Sequence, residues 1–321
     1  MDRWREWLGA TLVVFAISER TFWAYIRADD LPHELLITML AYGVIVAGAL
    51  ALRRILAQPH GRSNPQHPIL IGALVGWLAE GAIVNTAYGQ ADNPFPLSIA
   101  WTGVAWHALL SWVVGVECVP KWLHQWNSFR LAIFATTFGA GWGFWSTYYP
   151  PSVYGTESFI RHTALTSALL IGGWTLLAAG PARPGRFERG TAIAVGLIGL
   201  ALMLGVWMPM NPFPVLVLLG IILATLAHLF GTRRREPVAD VAEPVAEIGP
   251  WRFATLALVP ISAIAVHLGV RAALPNVETA ANIVLYIVLM FAGSFTFFRS
   301  WRLAAKTPAE PPYIPAPNAI Q

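Results

Sequence analysis

The chain has 321 residues, of which 56% are hydrophobic and only 12% charged, and its mean hydropathy is positive. This composition excludes an ordinary soluble globule, and the net charge of +4 requires no nucleic acid because basic loops are what membrane topology demands. The single cysteine, Cys118, excludes an internal disulfide and any multi-cysteine zinc or iron–sulfur centre.

Apolar runs close to the roughly 20 residues that cross a hydrocarbon core recur from Leu8 almost to the C-terminus. Read between Pro, Gly and charge clusters, they predict an all-α polytopic bundle of ten transmembrane helices. The predicted spans are Leu8 to Ile26, Leu35 to Ala57, Ile69 to Tyr88, Leu97 to Val116 and Phe129 to Tyr148, then His162 to Ala179, Thr191 to Met208, Pro214 to Phe230, Trp251 to Ala273 and Ala280 to Arg299. The first run is broken by Ser18-Glu19-Arg20 and lacks a small-residue cleavage pattern, so it reads as a retained span.

Orientation follows from Lys and Arg, which collect in cytoplasmic loops. Alternating the ten spans puts seventeen of the 21 basic residues on one face, Arg27, Arg161 and Arg271 on the other, and Arg20 within the membrane. Both termini are therefore expected in the cytoplasm, and the cell (inner) membrane is the expected location. Polar content divides the chain further. Residues 1–180 form a six-helix bundle carrying the polar residues, 181–231 hold helices 7 and 8, 232–250 are a cytoplasmic linker, 251–305 hold helices 9 and 10, and 306–321 are a flexible tail.

Glu19, Arg20, Glu80 and His107 lie inside apolar spans, where a charge costs about 2.5 to 3.5 kcal/mol even on the lenient insertion scale. Counted from the cytoplasmic helix ends at 1.5 Å per residue, their depths agree to within about 5 Å, near the midplane. Helices 3 and 4 are joined by a short turn and must be antiparallel neighbours. Gly72, Gly76 and Glu80 recur at intervals of four on one, and Gly103, His107 and Ser111 on the other, so close approach and a Glu80 to His107 hydrogen bond are expected.

Two readings of this cluster stand side by side: a fastening between helices, or a catalytic set. In the second, Glu80 is a general acid, His107 its relay, and Glu19 with Arg20 a pair that sets its proton affinity. A metal site is not expected, because two carboxylates and one imidazole lack a further firm ligand at the same depth. No two histidines sit opposite one another as a bis-histidine haem requires, so the cofactor is left unknown. His33, His60, His67 and His124 fall in predicted loops, and His267 in helix 9 away from the midplane.

Fifteen tryptophans are several times an average share. Trp4, Trp7, Trp122, Trp126, Trp251 and Trp301 fit interfacial anchoring. Trp77, Trp106, Trp142 and Trp145, with Tyr88, are the candidate substrate-binding wall for a flat or polyene molecule; the alternative is packing against lipid and glycine.

The set Glu80-Gly81, Thr86, Tyr88-Gly89, Pro96-Leu97 and Trp101 is similar to a segment of the bacterial membrane enzymes that hydrate carotene ends. That resemblance spans residues 80–101 alone and implies isoprenoid chemistry, although those enzymes have fewer helices. Ten spans with both ends inside also resemble the architecture of exporters built from two inverted five-helix repeats, yet the two halves of this chain show no mutual similarity. The leading expectation is an integral-membrane enzyme that moves a proton to or from a lipid-soluble, isoprenoid or carotenoid substrate. Its partners are then the lipid bilayer and a hydrophobic small molecule, with no nucleic acid. A proton-coupled carrier is the first alternative. A noncatalytic subunit of a larger pigment or redox complex, with membrane-protein partners, is the second.

Overall fold

The computed structural model describes residues 3–21, 32–57, 64–90, 93–148, 155–180, 188–232, 248–274 and 281–306. Among these there is no strand. The helical rods, in chain order, are α1 (3–21), α2 (Pro32–Ala57), α3 (His67–Ile83), α4 (Ile99–Gln125), α5 (Ser128–Ser146), α6 (Thr156–Ala178), α7 (Glu188–Trp207), α8 (Pro212–Gly231), α9 (Pro250–Ala273) and α10 (Ala281–Lys306). The expected linker core and C-terminal tail lie outside the described residues.

Six rods, α2, α4 and α7 to α10, are long and apolar enough to cross a membrane. The polar residues themselves explain why others fall short: α1 carries Glu19 and Arg20, and α6 carries Glu157, Arg161, His162 and several hydroxyls. Outward faces are greasy where no protein covers them, as at Leu197 on α7, Leu223 on α8 and Phe291, Phe295 and Phe298 on α10. Lipid is the medium that such faces suit.

Several helix ends differ from expectation, each for a local reason. α3 stops at Ile83, where Val84 turns extended, and a short 3-10 turn over Thr86–Tyr88 follows. α4 runs on past Val116 to Gln125, so Lys121 and His124 are helical. α6 starts at Thr156, six residues earlier than the hydropathy suggests, because a Glu157–Arg161 ion pair one turn apart (3.2 Å) supports a polar first turn. His67 is likewise no loop residue: it opens α3 and bonds Thr232 Oγ1 at 3.1 Å.

Small residues set the packing. A Cβ on Gly76 would lie 2.7 Å from Gly103 Cα, and one on Gly72 2.7 Å from Ala108 Cα, so α3 and α4 meet backbone to backbone. The same device joins α5 to α9, where Gly139 and Gly143 lie on the carbonyls of Val259 and Ala263. α9 and α10 thus pack directly on α5 and α4, the latter through Gly293 against Ala105.

An ion network binds the rods at the end expected to face the cytoplasm. Arg54 of α2 bonds Glu6 of α1 and reaches Glu188 of α7 at 3.0 and 3.2 Å, while Arg53 reaches Glu117 of α4 at 3.0 Å. Glu6, Glu117 and Glu188 are all buried. Arg252 donates to the carbonyls of Leu123 and His124 at 2.6 and 2.7 Å, placing a cation where the end of α4 leaves its carbonyls unpaired.

Candidate functional site

The winding of the backbone distinguishes the site from the rest of the molecule. Glu19 and Arg20 lie in a stretch, Ala16–Thr21, wound with i to i+5 hydrogen bonds; Glu80 lies in a second, Ala79–Ile83, and His107 in a third, Ile99–Cys118. Only one further segment of this wide π winding occurs among the described residues, Met203–Trp207, and its Trp207 donates to Ala82 O at 2.9 Å, beside the site. Short π turns inside α-helices gather at functional positions. In α4 the wide winding ends beside Pro120, which has no N–H to continue the ladder.

These segments bring one hydrogen-bonded chain together. Glu80 Oε1 lies 2.7 Å from His107 Nε2, and Glu80 Oε2 accepts from the Thr86 hydroxyl. On the far side of the ring, His107 Nδ1 lies 2.9 Å from Ser18 Oγ, which lies 2.8 Å from Ser111 Oγ; Ser111 in turn lies 3.3 Å from its acceptor, the Trp106 carbonyl. Beside it, the Tyr42 hydroxyl donates to Glu19 Oε1 at 2.6 Å, and the Tyr42 ring stacks on the imidazole at 6.0 Å. The Arg20 guanidinium lies over Phe15, 5.4 Å from the ring centre, and the Arg20 carbonyl meets His162 Nε2 at 2.5 Å. Glu19, Glu80, His107 and Arg20 are near enough for their charges to interact.

The chain can be polarised in two ways, since hydroxyl protons rotate and imidazole has two tautomers. If Ser111 donates to the Trp106 carbonyl, Ser18 donates to Ser111 and His107 Nδ1–H to Ser18, leaving Nε2 and Glu80 to share one proton. If the serines turn round, Nδ1 accepts and Nε2–H donates to a carboxylate. The two patterns differ by one proton, which enters or leaves at Glu80, since the other end of the chain is the buried Trp106 carbonyl. Exposure marks its open end: the Glu80 side chain is 13% exposed and that of His107 1%, with Ser18 and Ser111 buried. The carboxyl is therefore the member that can meet another molecule. It lies close to the C-terminal end of α3, three residues before the helix stops.

The aromatic candidates do not form one surface. Trp106 and Trp145 pack together at 5.6 Å, and with Trp101 they make a buried cluster that Tyr286 of α10 closes at 3.9 Å. The Trp106 indole also donates to the Ser18 carbonyl at 3.3 Å, so this cluster touches the site directly. Trp77 is engaged elsewhere: its indole donates to Ile99 O at 3.1 Å and its ring meets Phe297. Trp142 faces Phe159 and His162 edge-on, and Tyr88 bonds the Gly81 carbonyl.

No family model, curated protein or solved structure matches this chain. The site must be read from its own chemistry. No group of His, Cys, Asp and Glu among the described residues has the arrangement of a metal centre. Tyr42 was not singled out in the sequence, and Ser18 and Thr86 were noted without a role in the cluster, because hydroxyl residues are common in membrane helices and carry no insertion cost that draws notice. One signal was available: Ser18 directly precedes Glu19, and Tyr42 interrupts an otherwise aliphatic run.

Proposed function

We propose that this protein is a multi-pass enzyme of the cell (inner) membrane, with ten spans and both termini in the cytoplasm, which transfers a proton to a lipid-soluble substrate. Glu80 is the general acid, regaining its proton at its exposed side; His107 relays the proton it shares with Glu80, and Ser18 and Ser111 reorient to support either imidazole tautomer. Glu19, held by Tyr42, and Arg20 set the charge around it, and the Trp106–Trp145 cluster forms the apolar wall nearest the reacting group. An isoprenoid or carotenoid is the proposed substrate class, in keeping with the similarity over residues 80–101.

The observation that carries this reading is the graded exposure along the relay, open at Glu80 and closed at every other member. A pair that only fastened helices needs one hydrogen bond; an imidazole backed by two hydroxyls that can reverse direction supports the carboxyl in both its protonated and ionised forms. Mass spectrometry of membrane lipids tests it. Membranes containing the wild type should hold a modified lipid that is absent with Glu80→Gln, a substitution that keeps shape and hydrogen bonding but removes the acid. Identical lipid profiles, together with proton-coupled uptake of a solute by the wild type alone, would refute the enzyme reading in favour of a carrier.

A further inference from the structure

Buried threonines in these helices turn their hydroxyls back onto their own backbone. Thr11 donates to Trp7 O, Thr102 to Ser98 O and Thr225 to Ile221 O, at 2.7 to 2.8 Å. Exposed Thr175 and Thr296 do the same. Thr163 and Thr166 of α6 do not, although each has an ordinary helical carbonyl four residues earlier. Both are wholly buried, neighbouring Ser167 is 3% exposed, and none of the three hydroxyls has a hydrogen-bond partner. Their side chains have given up the local partner and point into the bundle.

A fourth buried polar atom without a partner lies on α9, which packs against α6. His267 of α9 is wholly buried; its Nδ1 lies 2.7 Å from Ser146 Oγ, but its Nε2 has no partner. The ring stacks on Phe159 at 4.2 Å, and Phe159 is one helical turn, about 6 Å, from Thr163. On the other side, His162 next to Thr163 bonds the Arg20 carbonyl in the wide turn of α1. The orphans therefore occupy the stretch of α6 gripped between α1 and α9.

Buried polar atoms without protein partners mark sites of internal water, which needs two to four such partners. We propose that Thr163, Thr166 and Ser167 of α6, with His267 of α9, hold internal water between α6 and its neighbours. Water fits better than a lipid headgroup, because exposures of 0 to 3% leave no opening for a larger polar group. This hydrated site stands apart from the Glu80–His107 relay and does not depend on the reading given to it.

The test uses the sign of a stability change in the full-length protein. Valine matches threonine in shape. If the site is dry, Thr163→Val and Thr166→Val each remove an unpaired buried hydroxyl and leave the Tm unchanged or raised; if water is bound, they strand its remaining partners and lower the Tm. A lowered Tm is expected for both, and an unchanged or raised one overturns the proposal. A high-resolution experimental map provides a second readout. Ordered water at about 2.7 to 3.2 Å from either threonine hydroxyl supports the assignment, whereas hydroxyls turned back onto Phe159 O and His162 O refute it.

Discussion

Replacing Gly76 with alanine adds one methyl group where α3 and α4 touch. Its Cβ would lie 2.7 Å from Gly103 Cα, Gly103 O and His107 Cβ. Carbon atoms settle at about 3.5 to 4.0 Å, so the helices must part by about 1 Å. Two of the three obstructing atoms belong to the backbone, and no change of rotamer relieves them. Glu80 lies one turn further along the same face, so its 2.7 Å contact with His107 should open to about 3.7 Å, beyond hydrogen-bond range. Overpacking of this kind costs about 1 to 3 kcal/mol. Thermal unfolding of the purified protein should show the loss, and nitrogen NMR of labelled histidine should show Nε2 of His107 released from Glu80. Gly141→Ala on α5 is the matched control: a Cβ there meets nothing within 4 Å, and exchanging glycine for alanine in a helix gains up to about 1 kcal/mol. Wild-type melting and an unchanged His107 signal in Gly76→Ala would refute the account of how the site is closed.

The ion network provides a contrast between buried and exposed partners. Arg54→Ala removes the cation that buried Glu6 and Glu188 share and leaves Arg53 and Arg3 at 3.9 Å beside them, for an expected loss of up to about 3 to 5 kcal/mol, whereas Lys121→Ala, whose side chain is 62% exposed, should cost less than about 1 kcal/mol. Thermal melts of the two variants should therefore differ widely, and equal melts would contradict the network's structural role. Tyr42→Phe removes the hydroxyl that donates to Glu19 and should destabilise by about 1 to 3 kcal/mol while leaving the stacked ring on His107 in place. If Glu19 sets the charge around the relay, the same variant also lowers formation of the modified lipid, which lipid mass spectrometry would measure beside the melt.

Two kinds of information behave differently along this chain. The Glu80–His107 contact was readable because a short connection makes α3 and α4 neighbours, and glycines at intervals of four bring their backbones together. The wide winding was not readable. It adds one residue to a turn without any composition of its own, so no residue pattern announces it. Glu6, Glu117 and Glu188 were passed over for another reason. Orientation depends on Lys and Arg, so acids at helix ends carry no topological signal until tertiary structure sets arginines beside them. The tryptophans show a third limit: sequence spacing put Trp142 and Trp145 together, but side-chain direction sends one to Phe159 and the other to Trp106.

The i to i+5 turns at Ala16–Thr21 and Ala79–Ile83 have a consequence for how this protein can vary. Each holds one residue more than an α-helical turn would, and an α-helix advances about 100° per residue. Shortening either turn by a single residue would restore ordinary winding there, keep the flanking segments nearly in phase, and turn the side chains inside the turn by up to about 100°. Loss of Ala79, for example, would turn Glu80 away from His107 although neither side chain in the contact had been altered. At these two places the molecule is more sensitive to the length of its chain than to the identity of its residues, and a one-residue deletion should be more damaging than any conservative replacement beside it.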